Sequence, residues 1–341
     1  MQVVDYGGTT GGSFIPALAS LATAAQRRGR PLSIVATDVP GASWPSELRA
    51  AGVDLHLVRD APGAMAALRA LRPAYVHAHF TRYDIPALRA AGGARVYWHV
   101  HSHREDTSVA ARARAWLKYR AIGRSVTALV AVSHDIAREI VAWSGPADRV
   151  RVVPNGIDVA HFRPPAPSER RAARQALGIA PGDRVVLFFD RVAYKGGATL
   201  RAAAAALPGV RILVAGGSAE DRTAFAALPG AIVLERAADA RALYWAADAL
   251  AFASEREAFG YVLAEAMACG LPVAAGAIAI VDEICGDAPS VCRFPVRDPA
   301  GLAQALERAL DATSPGAARA RVAERFNIDG WIEAMLGLYE S

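Results

Sequence analysis

Two glutamates eight positions apart, Glu257 and Glu265, stand in the run Ser-Glu-Arg-Glu-Ala-Phe-Gly-Tyr-Val-Leu-Ala-Glu-Ala-Met-Ala-Cys-Gly-Leu-Pro-Val over residues 254–273. The apolar residues 249–253 before it read as a strand. Gly260 marks the entry to a helix, Gly270 fits the left-handed position just past its end, and Pro272 prevents continuation. Glu257 then lies in a loop at a strand's carboxyl end, with Glu265 about one turn into the following helix. The free backbone N–H groups around Phe259 and Gly260 suit an anion. Two carboxylates beside that anion are tolerable if each takes hydroxyl groups instead. A sugar-bearing nucleotide offers hydroxyls at both ends and phosphates between them. Two exposed glutamates flanking a helix are the plain alternative, and the accompanying Phe-Gly, Glu-Ala-Met-Ala-Cys-Gly and Pro-Val weigh against it.

Three further constellations are candidates. Phe-Asp-Arg-Val-Ala-Tyr-Lys-Gly-Gly at 189–197 follows an apolar run and opens a helix. There Arg191 offers a planar fork and Lys195 a point charge to a diphosphate as it leaves. The structural alternative is a surface Arg and Lys beside a helix cap. Gly-Gly-Thr-Thr-Gly-Gly at 7–12 lets the backbone approach a ligand before a helix at Ser13, or is a tight turn. It is neither G-x-G-x-x-G nor a P-loop. Histidines alternate in Val76-His-Ala-His79 and Trp98-His-Val-His-Ser-His103, both at strand ends. Residues i and i+2 share one face of a strand, so metal ligation is conceivable. No supporting carboxylate shell is evident, and no metal is expected.

These groups must be positioned by alternating elements. Apolar runs at 2–5, 32–37, 53–58, 74–78, 95–100, 127–132 and 150–153 are separated by stretches with helical periodicity, such as 14–28 and 135–143. A second series follows at 185–189, 210–215, 231–234, 249–253, 272–275 and 290–292. Strands alternating with helices argue for parallel sheets, with ligands at the carboxyl ends of the strands, in the cleft between domains. Three prolines in residues 162–168 read as the linker. The expected layout is an N-terminal domain at 1–162, a second at 163–325, and a last helix at 326–341 packing back on the first.

Length and composition agree with this. The chain has 341 residues, 53% apolar and 21% charged, which suits two globular domains rather than disorder. No apolar run is long enough to span a membrane, and no signal peptide is recognisable, so a cytoplasmic location is expected. Cys269, Cys285 and Cys292 read as buried thiols. The net charge of +5 is uneven, about +7 over residues 1–160 and −2 over the rest. An Arg-rich soluble surface accounts for it, and no basic cluster forms a nucleic-acid motif. Residues 112–124, with five basic groups, Trp116 and Tyr119, form either an amphipathic surface helix or a membrane-surface helix, the first being favoured.

The 257–265 stretch resembles the Glu-x7-Glu signature of the GT-B-fold retaining glycosyltransferases of the large family 4 group, and the resemblance extends over nearly the whole chain. It implies an α/β GT-B fold, two Rossmann-like doubly wound domains facing across a cleft, the first binding acceptor and the second the nucleotide-sugar. It places Glu257 on the donor-sugar hydroxyls, Glu265 on the ribose, and the amides of Ala258, Phe259 and Gly260 on the sugar or phosphate. Arg191 and Lys195 correspond to the phosphate-binding pair, and Gly11 and Gly12 to the loop that closes on phosphate and acceptor. His101 matches a histidine beside the reacting sugar. His79, Tyr83 and His103 fall on the acceptor side. Val-Val-Pro-Asn-Gly-Ile-Asp at 152–158 resembles an interdomain signature. With no Asp-x-Asp pair, the implied enzyme needs neither metal nor cofactor. It moves a sugar with retention from a nucleotide-sugar, a UDP-sugar being favoured, to a hydroxyl acceptor. Two departures bear on donor choice: Asp190 stands where glycine is usual, and Ile-Ala-Ile-Val-Asp-Glu at 278–283 replaces a glycine-rich segment, leaving Asp282 or Glu283 as its acid. A nucleotide-sugar epimerase, or a transferase for lipid-linked acceptors at a membrane surface, is the alternative. A nicotinamide oxidoreductase would need the G-x-G-x-x-G that both halves lack.

Overall fold

The computed structural model describes residues 1–104, 108–237, 239–312 and 316–340. The chain forms two compact units: Met1–Gly156 with Ile328–Ser341, and Ile157–Asn327.

The first unit holds seven strands: β1 (Gln2–Val4), β2 (Ser33–Thr37), β3 (Asp54–Val58), β4 (Tyr75–His79), β5 (Arg95–Val100), β6 (Ala128–Ala131) and β7 (Val150–Val152). All pair in parallel, in the order β3-β2-β1-β4-β5-β6-β7. Runs such as Ala-Leu-Val-Ala in β6 are buried throughout, as a sheet covered on both faces requires. The helix Phe14–Arg27 turns Phe14, Ile15, Leu18, Leu21, Ala22 and Ala25 inward at helical spacing. It packs on the C-terminal helix Ile328–Glu340, which contributes Trp331, Ile332, Met335, Leu336 and Tyr339 to the same core.

The second unit holds β8 (Arg184–Asp190), β9 (Val210–Gly216), β10 (Ile232–Leu234), β11 (Ala249–Phe252), β12 (Val273–Gly276) and β13 (Val291–Phe294). They are parallel, in the order β10-β9-β8-β11-β12-β13. In both sheets the winding reverses once, between β1 and β4 and between β8 and β11. Crevices at the carboxyl ends flanking such a reversal are where doubly wound sheets bind ligands.

The prolines read as a linker lie inside the second unit, where Pro167 opens the helix Pro167–Ala176 at a position that needs no N–H. The division falls earlier, after the Asn-Gly turn. Gly156 meets Ile328 and Trp331 so closely that a Cβ would lie 2.7 Å from Trp331 Cβ and 2.8 Å from Ile328 Cα, which excludes any larger residue. Ile157 then pairs with Asn327, its N–H donating to Phe326 O at 2.7 Å. Residues 112–124 continue the helix Val109–Trp116 into a π-helical turn, Leu117–Ile122, with Tyr119 buried and Trp116 and Leu117 exposed. Among the described residues no helix is long and apolar enough to cross a membrane.

Candidate functional site

In the second unit, the strands β8 and β11 beside the reversal deliver the expected residues. After β8 the chain makes the short turn Ala193–Lys195, and Gly196 caps the helix Gly197–Ala204 in the left-handed conformation, φ +84°. A Cβ there would lie 2.3 Å from Ala253 O, at the end of β11. Glycine is therefore what lets the two loops touch, and Glu255 N–H reinforces the contact by donating to Tyr194 O at 2.9 Å. The contact sets Lys195 Nζ on Glu257 Oε1 in an ion pair whose side chains are mostly buried. Ser254 Oγ donates to the same oxygen at 3.0 Å. Gly260, φ +81°, caps the helix Tyr261–Ala268, and Gly270, φ +72°, follows it.

Ala258 and Phe259 are buried at this helix start, and Arg191 is exposed beside it. Glu265 is buried and accepts from the Tyr244 hydroxyl at 2.7 Å. Burial and the Glu265 carboxylate push the Tyr244 pKa far up, so Tyr244 stays a donor. Tyr244 was not legible as a site residue, since its partner is 21 positions away. Asp190, in place of the usual glycine, is 4% exposed with Oδ2 unpartnered, wedged against Gly197 and Gly217. Burial and Asp221 raise its pKa. In the 278–283 segment Ile278 caps the helix Ala279–Cys285. Asp282 is exposed and accepts from Arg293 Nε at 3.0 Å, while Arg321 donates to Glu283 O.

In the first unit, the 7–12 loop follows β1. Gly12 is left-handed, φ +52°, and Gly11 is buried against Glu47 and Ile15. Trp44 Nε1 donates to Gly8 O at 2.9 Å and Ser43 N to Thr9 O at 2.9 Å, so the helix Trp44–Ala50 anchors the loop. His101 lies just past β5, partly buried. Its ring contacts Phe14 at 5.1 Å and Phe80 at 4.7 Å between centroids. Phe80 holds φ +66°, a left-handed conformation that costs about 1–3 kcal/mol for a bulky residue. Burial lowers the His101 pKa to about 3, so the imidazole is neutral.

The expected acceptor-side residues are differently placed. His79 and Tyr83 are fully buried. Tyr83 shares a hydrogen bond with the Thr37 hydroxyl at 2.7 Å, and both ring nitrogens of His79 are bonded. His79 lies on β4, and Tyr83 is the residue before the helix Asp84–Ala90. His103 is partly exposed, paired with Glu139 at 2.5 Å and Asp135 at 3.5 Å. With Ser102, Arg104, Arg114 and Lys118 it lines a pocket of about 540 Å³. Lys118 is itself ion-paired with the buried Asp84.

His77, His79 and His99 bring one nitrogen each within 4.8 Å of one another. Ligation needs in-plane lone pairs that converge. Here the rings stack: His77 and His79 lie 4.6 Å apart at 11°, and His77 and His99 5.1 Å apart at 29°.

This architecture is that of the GT-B glycosyltransferases. Similar solved structures are Anabaena HepE in complex with UDP and glucose (TM-score 0.84, 19% identity, covering 100% of this chain and 98% of that one) and sucrose-phosphate synthase from Thermosynechococcus elongatus (TM-score 0.80, 21% identity, covering 99% and 97%). A glycosyltransferase from Rickettsia africae aligns equally well (TM-score 0.84, 17% identity, covering 99% and 97%). The profile described as glycosyl transferases group 1 matches residues 183–312, and that of glycosyltransferase family 4 matches residues 17–161. Both profiles describe glycosyltransferases, and each matches a different part of the chain. Curated relatives include D-inositol 3-phosphate glycosyltransferases of Mycobacterium tuberculosis and Mycobacterium bovis, 39% identical over 166 residues. The match covers 44% of this chain and about a third, 34%, of the length of those relatives.

Proposed function

We propose that the protein is a retaining, metal-independent glycosyltransferase of the cytoplasm that moves a sugar from a nucleotide diphosphate, a UDP-sugar being favoured, to a hydroxyl acceptor. The observation that carries this reading is the Lys195–Glu257 pair, set by Gly196 at the carboxyl ends of the two strands flanking the sheet reversal. In the resting protein each charge neutralises the other. When the donor binds, the ammonium transfers to the diphosphate and the carboxylate to the sugar hydroxyls. Arg191, exposed on the neighbouring loop, adds a second cation, and the amides of Ala258, Phe259 and Gly260 add dipoles at a helix start. Together they take the part that a divalent cation plays elsewhere, and no cofactor is needed.

Glu265, held by Tyr244, takes the ribose hydroxyls. The sugar C1–O bond to the β-phosphate breaks as the acceptor oxygen bonds to C1 on the same face. The acceptor proton passes to the departing phosphate oxygen. His101 supports the sugar, and Gly11 and Gly12 bring backbone amides to the phosphate. The acceptor enters by the pocket that His103 lines, whose basic side chains suit an acceptor carrying negative charge. The names of the mycobacterial relatives, which act on an inositol phosphate, support an acceptor of that type.

Thermal-shift screening against UDP-, GDP-, ADP- and dTDP-sugars tests the donor, because a ligand that binds the folded state raises its melting temperature. Lys195→Ala and Glu257→Ala are expected to fold and to lose about 10²–10³-fold in turnover, the effect of removing one preorganised charge-stabilising group. Turnover unchanged in either variant sinks the assignment.

A further inference from the structure

The buried histidines belong to a continuous hydrogen-bonded chain. His101 Nε2 meets His79 Nδ1 at 2.9 Å. His79 Nε2 meets Gln2 Oε1 at 2.7 Å, and Gln2 Nε2 donates to the Tyr339 hydroxyl at 3.0 Å. Tyr339 closes on His77 Nδ1 at 2.7 Å. Four elements contribute: β1, β4, the residue after β5, and the C-terminal helix. Gln2, His77 and His79 are fully buried and Tyr339 is 3% exposed, so water does not compete for these bonds.

The donors along the chain follow from chemistry. A carboxamide oxygen only accepts, so His79 carries its proton on Nε2. Burial keeps His79 neutral, its pKa far below the usual range. Its Nδ1 is therefore a bare acceptor, and the bond to His101 requires the proton to be on His101 Nε2. His101 is neutral as well, which leaves its Nδ1 without a proton. At the far end the Tyr339 oxygen accepts from Gln2 and its O–H donates to His77 Nδ1. Each bond then has one donor and one acceptor.

We propose that His79, Gln2 and Tyr339 are positioning residues that hold His101 in the Nε2–H tautomer and present Nδ1 as a hydrogen-bond acceptor to a hydroxyl of the donor sugar. This rests on the reading of His101 as the sugar-facing histidine. A neutral imidazole has one donor and one acceptor nitrogen, and its second partner decides which is which. Fixing the acceptor outward favours a sugar hydroxyl as donor and keeps a competing N–H away from the ring oxygen, where positive charge develops. The 2.9 Å bond from His79 Nδ1 to His101 Nε2, with the two rings tilted by 35° and their centroids 5.1 Å apart, fixes the direction in which Nδ1 of His101 points.

The reverse placement of the Gln2 amide would invert every donor and put the His101 proton on Nδ1, so the tautomer itself reports the device. The experiment is ¹⁵N two-bond correlation spectroscopy on the histidine-labelled full chain, with His101 assigned through His101→Asn, alongside UDP release from UDP-glucose. The wild type is expected to show His101 as Nε2–H. Tyr339→Phe, which keeps the ring stacked on Tyr75 at 4.5 Å, and Gln2→Met are expected to mix the tautomers and to lower kcat by about tenfold or more, since a mis-set catalytic tautomer is costly. An Nδ1–H His101 in the wild type, or an unchanged tautomer in both variants, overturns the proposal while leaving the Lys195 and Glu257 reading intact. Full turnover in His101→Asn overturns instead the reading of His101 on which it rests.

Discussion

Replacing His99 by phenylalanine isolates the cost of enclosing titratable rings in the first unit. His99 is 1% exposed, and neither of its ring nitrogens has a partner. Burial, with His101 and His79 adding to it, holds its pKa well below the ordinary value. Folded His99 therefore stays neutral where the unfolded chain, with a pKa of about 6.5, takes up a proton. The unfolded state binds more protons, so stability falls as pH drops below about 6.5 and is unaffected above it. Between pH 7.5 and 5.5 one such group accounts for a loss of about 1.4 kcal/mol. His77, His79 and His101 are lowered in the same direction. Four such groups remove about 5 kcal/mol, a large part of a typical domain's 5–15 kcal/mol. Asp84 works the other way. Its burial, only partly offset by Lys118, raises its pKa to about 7, so it gains stability as pH falls through that value.

The His99→Phe difference cancels every other group. Urea unfolding of wild type and variant at pH 7.5 and 5.5 is the assay. At pH 7.5 the variant is expected to match or exceed wild type by up to about 2 kcal/mol, because two unpaired buried nitrogens are removed and the slightly larger ring offsets part of the gain. Its advantage should grow by about 1.4 kcal/mol at pH 5.5. Parallel losses in the two proteins would refute the claim that His99 is buried neutral.

Two further outcomes follow from the second unit. Tyr244→Phe leaves buried Glu265 without its 2.7 Å donor. It should raise the donor KM about tenfold with little change in kcat, as loss of a ground-state binding contact does; a kcat-only effect in steady-state kinetics would contradict the ribose role. Arg174 is 6% exposed and donates to Ala246, Ala180 and Asp183 carbonyls at 2.7–3.0 Å and to Asp248 at 3.3 Å. Arg174→Ala should destabilise by about 3–5 kcal/mol in denaturant titration, and a loss under about 1 kcal/mol would show the network to be dispensable.

The strands were legible because parallel strands covered on both faces are short apolar runs bounded by turn residues, and those runs fall within a residue or two of β1 to β13. The loops at their ends were legible through glycine: Gly260 stands at the helix entry and Gly270 takes the left-handed conformation that its place past the helix implies. What stayed hidden is non-local. Gln2 and Tyr339 are 337 positions apart, and no local pattern joins them to the histidines of β4 and β5. Alternating histidines signal one shared strand face, yet that face can be a solvent wall or a core, and only the returning C-terminal helix makes it a core. Likewise, prolines at 164, 165 and 167 mark an interruption without telling a linker from a helix start.

The lysines show how composition and site meet. Of 38 basic residues only Lys118 and Lys195 are lysines, and each stands on one carboxylate with most of its side chain covered, Asp84 in the first unit and Glu257 in the second. An arginine in either place would bring five donors in a rigid plane to a site that offers one carboxylate, and the surplus N–H groups would be desolvated without partners. An ammonium is a compact charge on a flexible stem, able to leave its carboxylate for another anion without re-forming a planar fork. The same structural property therefore serves two ends. Beside Asp84, a carboxylate that burial pushes towards neutrality, it holds charge in a core. Beside Glu257, just past the end of β11 and next to the Gly196 turn, it makes a pair that can open, and opening is what the proposed diphosphate site requires.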